Sequence, residues 1–135
     1  MRVFFYGLFM DEELLAGKGI TPSRVGIGYV DGFALSIGDR ATLVPHEGAR
    51  AYGIVAAIGS HDAAALYSEQ SVADYVPEPV LVALSDGGEA EATCYNLSAD
   101  KVAGTNPDYA KELLDLAERI GFPDEYVDEI RRFCE

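Results

Sequence analysis

Four apolar residues in a row, Val3, Phe4, Phe5 and Tyr6, run into Gly7 and, a few positions on, into the acidic triplet Asp11, Glu12, Glu13. A short continuous apolar run closed by glycine predicts a buried first strand over 3–6 and a tight turn after it. Asp11, placed before Leu14 and Leu15, predicts an N-cap with acids in the first helical turn. The next stretch carries strand patterns: 28–37 with a break at Asp31-Gly32, 41–44 running into Pro45, and the continuous apolar run 51–58. Gly38-Asp39 and His46-Glu47-Gly48 supply turn chemistry between them. Ser60 predicts an N-cap for a helix over 61–70, in which Asp62, Ala65, Leu66 and Glu69 share one face. Two further strands, 74–84 and 89–97, flank Ser85-Asp86-Gly87-Gly88, a strong hairpin signal. Pro77 and Pro79 fit the start of the first of these to a sheet edge or a strand entry rather than a central ladder. Pro107 opens a helix with Tyr109, Leu113, Leu116, Ala117 and Ile120 on one stripe, ending at Gly121. Pro123 opens another, with Tyr126, Val127, Ile130, Phe133 and Cys134 facing inward, so the two are expected to pack as a pair over the sheet or on each other.

Strands first, helices at intervals and no internal repeat give an α+β expectation. At 135 residues the chain is expected to form a single domain, 1–135, that buries roughly two thirds of its unfolded surface around one core. The balance of ten basic against 23 acidic residues, net charge −13, argues against nucleic acid and against an anionic membrane surface, since both need clustered Lys and Arg. Cys94 and Cys134 match no metal or redox spacing and are expected to be reduced thiols. His46 and His61 lie fifteen positions apart in different contexts, which argues against a zinc site, and both are expected at the surface. The first apolar run is too short for a signal peptide or a membrane span, so a cytoplasmic protein is expected.

Two features carry candidate chemistry. Gly7 permits φ > 0 or a close approach, which would let the amides of its turn face an anion. Glu69 is a carboxylate on an otherwise apolar helical face; if it is buried, desolvation poises it as a proton shuttle. The chain has no nucleophile set in motif context, no phosphate loop, no dinucleotide glycine pattern and no metal constellation. A reaction it supports is therefore one in which the substrate brings its own nucleophile, and the protein provides a binding cradle and one acid/base group. A small-ligand-binding or interaction protein with the same cradle and no catalysis stays open beside the enzyme.

Several segments together resemble the gamma-glutamylcyclotransferase-like family, over nearly the whole chain. They are Tyr6-Gly7 after an apolar strand, the segment 40–58, Leu66-Tyr67-Ser68-Glu69 with Tyr75 six residues further on, Ala92-Thr93-Cys94-Tyr95, Asn106-Pro107-Asp108-Tyr109, and the segment 121–126. The resemblance implies a small barrel-like mixed sheet flanked by helices, with a pocket at one end. It also implies release of 5-oxoproline from a gamma-glutamyl amine or peptide: the substrate's α-amine attacks its γ-carbonyl, Glu69 acts as general acid/base, and no cofactor or metal is needed. Tyr6, Gly7, Leu8 and Phe9 would hold the substrate's polar end largely through backbone amides, with Tyr75 and Tyr95 near the site. Apart from the resemblance, Arg40, a lone arginine at a strand start, reads either as a surface ion pair or as a contact to an anionic ligand. The chain departs from the family pattern at Leu8, where members usually carry Ser or Thr, and at Val76-Pro77, where many carry an arginine.

Overall fold

The computed structural model describes residues 1–69 and 72–135. Among these residues five strands build the sheet: β1 (Arg2–Phe5), β2 (Ser23–Ile37), β3 (Ala41–Ala57), β4 (Val76–Leu84) and β5 (Glu89–Asn96). They close into a barrel in the order β1-β3-β2-β4-β5. Neighbours run antiparallel except at the closure, where β1 meets β5 in parallel with Val3 opposite Thr93. Among the described residues four α-helices accompany the barrel: α1 (Glu12–Gly17), α2 (Ser60–Leu66), α3 (Pro107–Ile120) and α4 (Asp124–Arg132). A short 3-10 turn, Leu8–Met10, links β1 to α1.

The barrel follows from which residues can be buried. In β5 the inward set Ala90, Ala92, Cys94 and Asn96 alternates with more exposed neighbours, the period-2 signature of a strand with one wet face. The run 51–58 instead buries consecutive residues, including Ile54, Val55 and Ala56, because one face meets the barrel interior and the other is covered. Tyr52 on β3 receives the helical pair: its ring lies 5.1 Å from that of Tyr126 on α4 and 5.9 Å from that of Phe122 in the α3–α4 link. Helix α3 starts where the Asn106 side chain accepts the Tyr109 N–H at 3.1 Å, with Pro107 in its first turn, and stops where Gly121 turns left-handed at φ 92. One apolar cluster includes Leu15 of α1, Leu66 of α2, Leu113 of α3 and Ile130 of α4 together with the barrel interior.

Where the pattern misplaced elements, the reasons are local. The separate strands expected over 41–44 and 51–58 are one strand, because Pro45 and Gly48 sit in an irregularity rather than a turn. The register jumps from Asp31 opposite Arg50 to Phe33 opposite Pro45, and the chain between bulges out with Gly48 at φ 83. Strand β2 begins at Ser23, ahead of the expected Gly28, across a second register shift between Arg24 and Gly26. The strand expected from Asp74 starts at Val76, and its proline-bearing half pairs with β5 while β2 meets only its far end, at Ala83 and Leu84. The helix expected over 61–70 is N-capped by Gly59, not by Ser60, and ends at Leu66; Gln70 lies outside the described residues. Glu69 therefore stands in the turn beyond the helix rather than on its apolar face.

Candidate functional site

Gly7 does not use its freedom to take a positive φ: its backbone is extended, at φ −113 and ψ −151. What requires glycine is space. A Cβ at this position would stand 2.4 Å from the Tyr109 hydroxyl, which comes over from the first turn of α3. That hydroxyl accepts the Leu8 N–H at 3.2 Å, so one amide of the turn is already answered by the protein itself. Burial pushes the Tyr109 hydroxyl above the usual tyrosine range, the Leu8 amide opposing it, and the group stays a neutral donor and acceptor. The rest of the turn is held by Met10 N–H to Gly7 O and Asp11 N–H to Leu8 O, both at 3.0 Å. Asp11 then caps α1 through the Glu13 N–H, also at 3.0 Å.

This turn forms one wall of a cavity of about 360 Å³ at the end of the barrel. Tyr6, Gly7, Leu8, Phe9, Glu69, Tyr75 and Tyr95 all line it, as does Arg40. Aromatic rings make most of the enclosure. Phe9 stands edge-on to Phe5 and to Tyr67, with centroids 6.3 and 5.8 Å apart, and Tyr67 stacks on Tyr95 at 3.7 Å. Phe9 is half-buried here, neither sealed in the core nor turned out.

The hydroxyls of this enclosure act as struts. Tyr6, 6% exposed, donates to the Tyr95 carbonyl at 2.6 Å and so ties the end of β1 to β5. Tyr75 donates to the Ala41 carbonyl at the start of β3, and its ring lies 5.8 Å from the Arg40 guanidinium. Arg40 also meets Asp74 at 3.5 Å. Desolvation raises Tyr6, Tyr67 and Tyr75 well above the ordinary tyrosine range, so all three remain protonated near neutrality. Tyr95, more open, is raised by the same cause.

Glu69 is half-exposed at the mouth rather than buried on an apolar face. Its side chain is 39% exposed and its Oε1 takes a hydrogen bond from Lys18 Nζ at 2.6 Å. Lys18 caps the C-terminal end of α1, and its side chain is 29% exposed. The Glu69 main chain is fixed by the Val72 N–H, which donates to its carbonyl at 3.0 Å. Lys18 and Glu69 are thus joined across the cavity mouth from segments 51 residues apart. Among the described residues no cluster of three or more His, Cys, Asp and Glu is placed to hold a metal ion. Among them, too, no helix is long and apolar enough to cross a membrane. His46 and His61 are both exposed. Cys94 and Cys134 are both thiols.

A family model of AIG2-like proteins matches residues 50–130. The chain belongs to the AIG2-like family. That match includes β4, β5, α3 and most of α4, and with them Glu69, Tyr75, Tyr95 and Tyr109, while the Tyr6–Phe9 turn lies before it. A search among curated proteins finds no significant match. Among solved structures, a gamma-glutamyl cyclotransferase is 19% identical with TM-score 0.81, over 98% of this chain and 87% of that one. An uncharacterised human protein is 21% identical with TM-score 0.82, over 98% and 86%. YkqA from Bacillus subtilis is 21% identical with TM-score 0.81, over 99% of this chain and 54% of that one. At these identities the likeness establishes the fold: the AIG2-like chain has the gamma-glutamylcyclotransferase-like barrel expected from its sequence.

Tyr109, Tyr67 and Lys18 are among the cavity residues that sequence reasoning did not single out for a place in the site. Tyr109 reads as part of a helical stripe, yet a long side chain in a first helical turn points back past the N-terminus, here to the Gly7 turn. Tyr67 was legible only as a neighbour of Glu69 in the quoted segment. Lys18, between Gly17 and Gly19, carries no pattern at all, and its pairing is a product of tertiary structure.

Proposed function

We propose that this chain is a cyclotransferase that releases 5-oxoproline from a gamma-glutamyl amine or peptide, with Glu69 as general acid/base. The observation that carries the reading is that the Glu69 carboxylate and the Gly7–Phe9 turn line one cavity, of a size suited to a small ligand. The likeness to a gamma-glutamyl cyclotransferase fold and membership of the AIG2-like family support the same class of reaction. The α-ammonium of the substrate gives a proton to Glu69. The freed amine attacks the γ-carbonyl, so that a C–N bond closes the five-membered ring; Glu69 returns its proton to the departing nitrogen as the original C–N bond breaks, then carries the ring nitrogen's second proton the same way, so the lactam keeps one N–H and the amine leaves as an ammonium. Both reacting groups belong to one molecule, so holding the chain folded supplies most of the advantage, and one positioned shuttle adds on the order of 10²–10⁴ in rate.

In this scheme Tyr6 and Tyr95 act as a braced wall, and Tyr75 holds the opposite side against Ala41. Gly7, Leu8 and Phe9 present main chain and an aromatic edge to the folded substrate. The test is turnover of a panel of gamma-glutamyl amino acids and amines, with 5-oxoproline followed by mass spectrometry. Turnover by wild type that collapses in Glu69→Gln supports the assignment. The Leu8 amide, already bonded to Tyr109, favours a second reading in which the pocket binds a ligand without turning it over. Under that reading a ligand at a hundred times its dissociation constant raises stability by about 2.7 kcal/mol and yields no product.

A further inference from the structure

The Lys18–Glu69 ion pair stands at the mouth of the cavity and is not explained by the acid/base role of Glu69 alone. A carboxylate needed only for proton transfer gains nothing from an ammonium 2.6 Å away, which competes with the substrate's own ammonium for it. The pair is also a weak source of stability. Both side chains are partly exposed, at 29% and 39%, and such pairs are worth about 0–1 kcal/mol, so a ligand opens this one at little cost. The gamma-glutamyl end of a substrate carries an α-ammonium and an α-carboxylate on one carbon. Set against the pair, this zwitterion can exchange partners: its ammonium goes to Glu69 and its carboxylate to Lys18. Every charge then keeps a partner of opposite sign, and no ion is left unpaired in an aromatic enclosure.

We infer that Lys18 is the α-carboxylate-binding residue of this site, and that the Lys18–Glu69 pair is the resting form of a zwitterion-recognition site. The inference rests on the cyclotransferase reading for the identity of the ligand. Two further observations favour Lys18 over the other candidates for that role. The Leu8 amide of the turn is bonded to the Tyr109 hydroxyl, which removes one of the donors an anion there would use. Arg40, the other cation lining the cavity, is joined to Asp74 and lies over the Tyr75 ring, on the side braced to Ala41. Lys18, by contrast, holds an acceptor that the substrate itself replaces.

Binding of L-norvaline, which carries the α-ammonium and α-carboxylate but no γ-carbonyl to react, and of n-butylamine, the same chain without its carboxylate, separates this role from a structural one. Calorimetry or chemical-shift titration of wild type is expected to show norvaline binding at least about tenfold more tightly, the scale of one charge-assisted hydrogen bond. In Lys18→Met that preference disappears with butylamine binding no weaker than in wild type; in Lys18→Arg most of the preference returns. Equal binding of the two by wild type, or a preference that survives Lys18→Met, overturns the inference. Turnover is read separately on the gamma-glutamyl panel, where Lys18→Met raises KM and leaves kcat within a few-fold. A Lys18-dependent preference in a protein that makes no 5-oxoproline removes the cyclotransferase reading and leaves the anion site standing. Turnover with a Lys18-independent preference does the reverse.

Discussion

Replacing Gly7 by alanine puts the meeting of the turn and α3 to a quantitative test. The added Cβ would lie 2.4 Å from Tyr109 Oη but 3.8 Å from Tyr109 Cζ, so the collision is with the hydroxyl and not with the ring. The backbone, at φ −113 and ψ −151, suits alanine, and no conformational strain enters. The hydroxyl must move, which forfeits the Leu8 N–H bond, about 1 kcal/mol, and overpacks a half-buried site, about 1–3 kcal/mol more. The sum, about 2–4 kcal/mol, lowers the melting temperature of a chain of this size by about 6–16 °C. Tyr109→Phe alone removes the same hydrogen bond and costs about 1 kcal/mol. On that background Gly7→Ala meets only the ring, at ordinary contact distance, and is neutral or stabilising by up to about 1 kcal/mol through the unfolded chain. The double-mutant cycle, measured by thermal and urea unfolding, is therefore expected to show strong coupling. An equal cost of Gly7→Ala on both backgrounds would refute the reasoning.

Two further predictions concern buried titratable groups. Burial holds Tyr6, Tyr67 and Tyr75 above the ordinary tyrosine range, so the native state keeps protons that the unfolded chain sheds. Their contribution to stability is full below about pH 10 and is lost as pH rises toward the folded values, so alkaline unfolding should track the appearance of buried tyrosinate; ultraviolet absorbance showing all eight tyrosines ionised before circular dichroism changes would contradict this. Cys94 is 0% exposed and desolvation pushes its thiol up to about 12, whereas Cys134 is half-buried near the C-terminal end. A disulfide-exchange reagent in slightly alkaline buffer is thus expected to modify one thiol quickly and the second only with unfolding, and two fast thiols would count against the buried placement of Cys94.

The features legible in the sequence were those with a local physical cause. Asp11, Pro107 and Gly121 act on the backbone within a few residues, and all three stand where their chemistry placed them. The hairpin at Ser85-Asp86-Gly87-Gly88 is equally local, with the Asp86 side chain accepting the Gly88 N–H at 2.9 Å. Pro45 and Gly48 misled because a bulge and a turn use the same residues, and only the partner strand, with Gly32 across from them, distinguishes the two. At the site, the resemblance to a family drew Gly7 and Glu69 together, but neither sits as its local pattern suggested. Gly7 yields to a hydroxyl from a residue 102 positions away, not to a positive φ, and Glu69 meets a lysine that no spacing connects to it. Both are tertiary contacts, and periodicity holds no information about them.

The central claim is that Glu69 moves protons for ring closure within the cavity it shares with the Gly7–Phe9 turn. Single-turnover release of 5-oxoproline from a gamma-glutamyl substrate, compared between wild type and Glu69→Gln at matched substrate occupancy, tests it most directly. The account predicts a fall in rate of on the order of 10²-fold or more with the melting temperature nearly unchanged, because the exposed pair with Lys18 contributes about 0–1 kcal/mol. Glu69→Gln turning over as fast as wild type, or wild type releasing no 5-oxoproline from any gamma-glutamyl compound, would contradict it.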